Sequence, residues 1–143
     1  DELAPVVHDL RAAAAPNDLE HARDPVGLAI VHQVGGHVHG VTADLSFISL
    51  TRVLDALVRV CAPGGHLVLL VKPQFEAGRV EVARGHGVIT DPLIHDRVRA
   101  ELCQALTDHR CTVLGWIDSP LVGAEGNREF LVHATTERPG FAQ

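Results

Sequence analysis

The sequence predicts an α/β fold in which most strands of one sheet run parallel and a strand near the carboxyl terminus runs antiparallel. Leu67–Val71 is a continuous apolar run of strand length, the pattern typical of a strand with both sheet faces covered. Strand and helix patterns alternate on either side of this run, and such alternation favours a parallel sheet. A modest loop joins the last two predicted strands, which indicates a terminal hairpin.

The elements before this run follow from local patterns. Glu2–Ala15 is rich in alanine and suits a helix, and Gly27–Val31 is a short apolar run. His37–Asp44 has the pattern of a strand that ends at its acidic residue. Ser49 is a typical N-cap for a helix in which apolar residues recur at helical spacing. Pro63–Gly65 is predicted to end this helix.

The elements after the run are predicted in the same way. Gln74–Thr90 contains several glycines and charged residues, and it is predicted to be a long loop. Asp91 supplies a capping carboxylate and Pro92 suits the first position of a helix. Cys111–Ile117 and Phe130–Ala134 are predicted to be the last two strands.

Composition bounds the class of protein. The 143 residues are 46% hydrophobic and 21% charged, which favours one globular domain over disorder. The net charge of −6 argues against strong unaided binding to nucleic acid. The three cysteines form no CxxC pair, which favours reduced thiols in a cytoplasmic protein. No apolar run approaches the length of about 18 residues that a membrane span needs, so no membrane partner is expected.

Lys72 is the only lysine of the sequence and directly follows the central predicted strand. A solvated lysine at a strand end is the simpler interpretation of this residue alone. A lysine can, however, release its proton and act as a base, which an arginine cannot do. Ligands of open α/β sheets bind outside the carboxyl ends of the strands, where Asp44 also lies. Glu129 would join them at this edge if the final strand runs antiparallel.

Four segments resemble those of a known family. They are Asp44–Leu50 (Asp-Leu-Ser-Phe-Ile-Ser-Leu), Lys72–Arg79 (Lys-Pro-Gln-Phe-Glu-Ala-Gly-Arg), Gly85–Asp91 (Gly-His-Gly-Val-Ile-Thr-Asp) and Gly126–Phe130 (Gly-Asn-Arg-Glu-Phe). In this order they resemble the hallmark segments of the TlyA, or hemolysin A, family. This family is the FtsJ-like group of S-adenosylmethionine-dependent ribosomal RNA 2′-O-methyltransferases. The resemblance covers about Thr42–Thr136.

The resemblance implies the second half of a Rossmann-like class I methyltransferase sheet. Residues 42–143 are identified as the carboxyl-terminal part of an FtsJ-like domain, and residues 1–41 match the family poorly. The family's glycine-rich first strand, the first lysine of its Lys-Asp-Lys-Glu tetrad and its N-terminal S4-type RNA-binding domain have no counterpart. We therefore expect the chain to be a fragment. Ribosomal RNA or a ribosomal subunit is the implied partner.

The resemblance also assigns roles to individual residues. The expected catalytic residues are Asp44, Lys72 and Glu129. The residues expected to bind S-adenosylmethionine are Asp44, Leu45 and Ser46. The residues expected to bind the RNA substrate are Asn127 and Arg128, although a role in fixing the turn before the last strand explains Asn127 as well.

The expected chemistry predicts a weak enzyme. Methyl transfer to a ribose hydroxyl requires alignment of two reactants and removal of a proton, for which Lys72 would be the base. A free lysine is mostly protonated at neutral pH, and burial or a second cation is needed to favour its neutral form. Asp44 and Glu129 favour the charged form, and the sequence has no second lysine. We expect weak or no methyltransferase activity from this chain alone.

Three alternatives are open. A catalytically inactive remnant or partner-binding half-domain would form a homo-oligomer through an exposed sheet edge. Membrane lysis, which the family's name suggests, requires a basic amphipathic helix that the sequence lacks. His32, His37 and His39 lie close together, and two imidazoles at strand spacing suit zinc. No cysteine or carboxylate completes a convincing set, so no metal is expected.

Overall fold

A computed structural model describes residues 36–137 of the chain. Within these residues the elements are β1 (Val38–Ala43), α1 (Leu50–Val60), β2 (Cys61–Val71), α2 (Pro73–Glu76), α3 (Arg79–Arg84), α4 (Pro92–Asp108), β3 (Cys111–Asp118), a 3₁₀ turn (Ala124–Gly126) and β4 (Phe130–Thr136). The predicted helix at Glu2–Ala15 and the apolar run Gly27–Val31 lie outside the described residues.

The described strands form a four-stranded sheet in the order β1-β2-β4-β3. β1 pairs with β2 in parallel, and β4 runs antiparallel to both of its neighbours. Three of these strands therefore share one direction, and the last strand opposes them. This confirms the predicted mostly parallel sheet, its antiparallel strand near the carboxyl terminus and the terminal hairpin.

The hydrophobic core lies between one face of the sheet and the helices α1 and α4, which contact each other. Leu67, Leu69 and Val71 alternate along β2 and point into this core. The core residues from the helices and β4 are Leu50, Leu54, Leu57, Val98, Leu102, Leu106, Phe130, Val132 and Ala134. Val68 of β2 points to the opposite face of the sheet. The exposed apolar side chains of the described strands are Val68, Leu114 and Ile117.

Both predicted helix caps are confirmed. The Ser49 hydroxyl accepts a hydrogen bond from the backbone N–H of Thr51 at 3.2 Å, and α1 begins at the next residue. The Asp91 carboxylate likewise caps α4, with Pro92 in the first turn. α1 ends at Val60, before the predicted glycine stop, because Cys61 already belongs to β2 and pairs with β1.

The prediction of a long loop at Gln74–Thr90 is wrong, because α2 and α3 lie within it. The carboxylate of Glu81 accepts a hydrogen bond from the backbone N–H of Gly78 at 2.9 Å and so caps α3. Arg97 of α4 binds the same carboxylate, with one nitrogen–oxygen distance of 2.7 Å. The hydrogen bonds from Arg97 lower the pKa of Glu81 to about 2. This support comes from a distant helix, which a local pattern does not reveal.

Candidate active site

An ion pair lies at the carboxyl edge of the sheet. Asp44 directly follows β1 and Lys72 directly follows β2, and the carboxyl ends of parallel neighbours meet at one edge. The Lys72 Nζ atom lies 2.6 Å from Asp44 Oδ1, and it donates a second hydrogen bond to Ser46 Oγ at 3.2 Å. The Lys72 side chain is 13% exposed and the Asp44 side chain 57% exposed. The acid is therefore the more open partner of the pair.

The segments that follow β1 and β2 are also joined through Glu76. Its Oε1 atom accepts a hydrogen bond from the backbone N–H of Leu50 at 2.8 Å, and its Oε2 atom accepts one from the Ser49 hydroxyl at 2.5 Å. These contacts satisfy backbone donors at the start of α1, where a carboxylate is also favoured by the helix dipole. Burial raises the pKa of Glu76, although these hydrogen bonds act in the opposite direction.

Phe47 is an exposed aromatic residue beside this ion pair that the sequence analysis gave no role. Its side chain is 90% exposed and its φ is 65°. A bulky residue in the left-handed region is strained, and strained residues cluster at functional sites. The centroid of its ring lies 5.1 Å from that of Phe75 in α2. Its position next to Ser46 in a recognised motif was the one signal available in the sequence.

Glu129 reaches the same edge of the sheet from the antiparallel strand. Phe130 pairs with Val71, so Glu129 and Lys72 occupy the next positions outward on adjacent strands. The three strand ends therefore lie at the same edge of the sheet, and the catalytic roles expected of these residues stay predictions. Glu129 is 8% exposed, and among the described residues its carboxylate has no ion-pair partner. The structure joins Asp44, Ser46 and Lys72 and leaves Glu129 beside them without a bond to the lysine.

Asn127 is buried, at 2% exposure, and its side-chain amide binds three backbone groups. Its Oδ1 atom accepts from the N–H of Ile89 at 2.9 Å, and its Nδ2 atom donates to the carbonyls of Gly87 and Ala124 at 2.9 and 3.0 Å. These bonds tie the loop that carries Glu129 to the segment before α4. They give Asn127 a structural role, and its expected contact with RNA stays a prediction.

Arg128 points away from the ion pair. Its guanidinium binds the Asp118 carboxylate at 2.7 Å and lies 5.6 Å from the ring centroid of Phe130, on the helix side of the sheet. Side chains alternate along a strand, so the neighbouring Glu129 faces the other side. Arg128 lines a cleft of about 250 Å³ that Arg99 and Trp116 also line. An RNA bound by Arg128 would therefore lie at this cleft and not at the Asp44–Lys72 pair. The contact of Arg128 with RNA stays a prediction.

The residues expected to face the cofactor differ in availability. The Asp44 carboxylate is mostly exposed, the Ser46 hydroxyl accepts from Lys72, and the Leu45 side chain packs against the core. The open carboxylate and the backbone beside it are thus the parts of this segment that a ligand reaches.

The described residues contain neither a metal-ligand cluster nor a membrane-spanning helix. Within residues 36–137, no group of three or more histidine, cysteine or acidic side chains is arranged to hold a metal ion. His37 and His39 are both exposed, and His32 lies outside the described residues. None of the helices described here is long and apolar enough to cross a membrane.

Comparisons with known proteins identify the family. The sequence model of the FtsJ-like methyltransferases matches residues 7–136. The chain is 44% identical over 109 residues to the 16S/23S rRNA (cytidine-2′-O)-methyltransferase TlyA of Mycobacterium tuberculosis, covering 73% of this chain and 38% of that protein. It is 32% identical over 93 residues to Hemolysin A of Brachyspira hyodysenteriae, covering 65% of this chain and 38% of that protein.

Solved structures agree with these sequence matches. A candidate hemolysin from Streptococcus thermophilus superposes with a TM-score of 0.70 at 38% identity, covering 75% of this chain and 38% of that one. The chain thus spans about 38% of the length of the curated relatives and of this structure. The fold and the expected TlyA-like resemblance are both confirmed. The chain belongs to the FtsJ-like methyltransferase family.

Proposed function

We propose that the protein to which this chain belongs transfers a methyl group from S-adenosylmethionine to a ribose 2′-hydroxyl of ribosomal RNA in the cytoplasm. The observation that carries the proposal is the bonded pair of Asp44 and Lys72 with Glu129 at the next position of the same sheet edge. The printed name of the TlyA relative supports the substrate class. In this proposal residues 42–143 form the carboxyl-terminal part of the methyltransferase domain, and ribosomal RNA or a ribosomal subunit is the partner.

The residues after β1 fit the charge of the cofactor. S-adenosylmethionine supplies a methyl group on a positively charged sulfur. Asp44 presents a carboxylate that is 57% exposed at the edge where ligands of open α/β sheets bind. A negative group with this exposure favours a cationic ligand. Ser46 and the backbone of Leu45 would form the wall beside it, since the Leu45 side chain packs into the core.

Lys72 acts as the general base in this proposal. Its neutral Nζ atom accepts the proton of the ribose hydroxyl, which leaves the oxygen as the nucleophile. Asp44 and Ser46 fix the direction of Nζ through contacts of 2.6 and 3.2 Å. In this proposal Glu129 accepts a hydrogen bond from the ribose. The exposed ring of Phe47 supplies a face on which a nucleobase stacks.

The 143-residue chain by itself is expected to show weak or no methyl transfer. A base must lose its proton before it can accept another, and a nearby second cation would favour this loss. Lys72 is the only lysine of the chain, and it lies against an acid. The chain therefore orients Lys72 but supplies no second lysine beside it.

The test compares methyl transfer by the parent and by Lys72→Arg, in the chain and in any longer gene product that contains it. Arginine keeps the positive charge beside Asp44 but does not release its proton, so turnover should fall by about 100-fold or more. Arg59→Gln is the control and should retain turnover. Arg59 is exposed and lies in the last turn of α1, next to the start of β2, whereas Lys72 follows the end of β2. Undiminished turnover in Lys72→Arg would exclude Lys72 as the base. Absence of any S-adenosylmethionine binding by calorimetry would favour the inactive, partner-binding alternative.

A further inference from the structure

The loop between β3 and β4 contains a glycine whose missing side chain leaves room for the Glu129 carboxyl group. A Cβ atom placed on Gly123 would overlap Oε1 and Cδ of Glu129 and lie 3.0 Å from its Cγ. The backbone of Gly123 has φ −76° and ψ −171°, an extended conformation that any residue adopts. The glycine is therefore required by the space beside it and not by its backbone angles.

The backbone around this contact is fixed by its own hydrogen bonds. The N–H of Gly123 donates to the carbonyl of Asn127 at 2.7 Å, and the N–H of Ser119 donates to the carbonyl of Glu129 at 2.8 Å. The buried amide of Asn127 adds three further bonds to this loop. The part that is free to move is the outer end of the Glu129 side chain. An added methyl group at Gly123 would consequently displace the carboxylate before it displaces the backbone.

The Glu129 carboxylate lacks the polar anchors that hold its neighbours. Lys72 and Asp44 hold each other through an ion pair, whereas no described residue forms an ion pair with Glu129. Side chains are confined to a few rotamers, and close packing decides which of them is available. The Glu129 carboxylate occupies the space beside Gly123 that a Cβ atom there would fill.

We propose that Gly123 is a positioning residue. Because it lacks a Cβ atom, the space beside it, called the seat below, receives the Glu129 carboxylate and directs it towards the sheet edge occupied by Lys72. The effect on turnover rests on the proposed function, whereas the seat itself is a property of the fold. A structural measurement and a kinetic one therefore test the two parts separately.

Crystal structures and thermal unfolding of Gly123→Ala and Gly115→Ala test the seat. Gly115 is the matched control, because a Cβ atom there would meet nothing within 4 Å. We expect the Glu129 side chain to adopt a different rotamer in Gly123→Ala and to stay in place in Gly115→Ala. Both variants should melt within about 4 °C of the parent. An unchanged Glu129 rotamer in Gly123→Ala, or a rearranged backbone between β3 and β4, would overturn the proposal.

Methyl-transfer kinetics of the same variants test the consequence of the seat. Gly123→Ala should lower kcat by about 100-fold, as expected of a misplaced catalytic group, with KM little changed. Glu129→Asp shortens the acid so that it fits beside a Cβ atom, and Gly123→Ala should then cost much less in that background. Strictly additive effects of the two substitutions would contradict the seat. If the longer gene product that contains the chain shows no turnover, the proposed function fails while the crystal structures still decide the seat.

Discussion

Lys72 and Glu129 occupy neighbouring positions at one sheet edge, yet they are held in different ways. Lys72 is bonded directly to Asp44 and Ser46, and Glu76 ties the segments after the two parallel strands together. Glu129 has no ion-pair partner among the described residues and lies against Gly123. The loop between β3 and β4 is held by the hydrogen bonds of the buried Asn127 amide. Lys72 is thus positioned by hydrogen bonds and an ion pair, whereas Glu129 is positioned by packing against a loop that Asn127 stabilises.

This difference teaches where each side is vulnerable. A hydrogen bond in a partly exposed ion pair contributes little to the stability of the fold, because water competes for both partners. A buried amide that satisfies three backbone groups contributes much more, because each group would otherwise lose its partner away from water. We therefore expect the stability of the site to depend most on the Glu129 side, even though the direct bonds are on the Lys72 side.

Replacing Asn127 with alanine should give the largest loss of stability. The substitution removes three hydrogen bonds and leaves the buried N–H of Ile89 without a partner. We expect the free energy of unfolding to fall by about 3 kcal/mol, measured by urea denaturation. Gln104→Ala is the matched control, because it removes an amide from an exposed helix position. Equal losses in the two variants would show that Asn127 does not brace the loop.

Replacing Glu76 with alanine should have a smaller effect on stability and act on the Lys72 side. The N–H of Leu50 loses its acceptor and the Ser49 hydroxyl loses a partner, so the start of α1 is less well capped. We expect a loss of about 1–2 kcal/mol, the range of helix N-cap deletions. Thr51→Ala, which alters the exposed side of the same helix turn, should cost less than Glu76→Ala. A Glu76→Ala variant as stable as the parent would show that the hydrogen bonds of Glu76 to Ser49 and Leu50 do not stabilise the fold.

Replacing Glu76 with glutamine should produce the smallest effect, one that depends on pH. Burial raises the pKa of Glu76 in the folded protein above its ordinary value of 4.5. The folded state therefore favours the protonated acid, and the associated stability is present below pH 4.5 and lost as the pH rises through the folded pKa. Glutamine does not titrate, so the stability of the parent relative to Glu76→Gln should decline over this window.

Urea denaturation of both proteins across the acidic and neutral range measures this decline. Glu125→Gln serves as the control, because it makes the same replacement at an exposed glutamate. A parent that gains stability relative to Glu76→Gln as the pH rises would show that the hydrogen bonds from Ser49 and Leu50 outweigh burial.

Sequence reasoning succeeded where local chemistry is sufficient. Ser49 and Asp91 begin helices because their side chains satisfy backbone donors two residues ahead. The apolar run in β2 predicted the strand itself, although in the described residues one face of the sheet exposes apolar side chains such as Val68. Lys72 lies at the carboxyl end of this strand, as predicted. Sequence reasoning failed at α3, where an ion pair between Glu81 and Arg97 stabilises a short helix from a distant part of the chain.

The sequence by itself determined the alternation of strands and helices, the helix caps and the order of the family motifs, because these depend on neighbours along the chain. Only the tertiary structure decided that Phe130 pairs with Val71 and so brings Glu129 beside Lys72. It also decided that Arg128 turns to the helix side and that Gly123 receives the Glu129 carboxylate. The reason is physical. Strand register and close packing are fixed by hydrogen bonds and contacts between segments far apart in sequence, which no local pattern encodes.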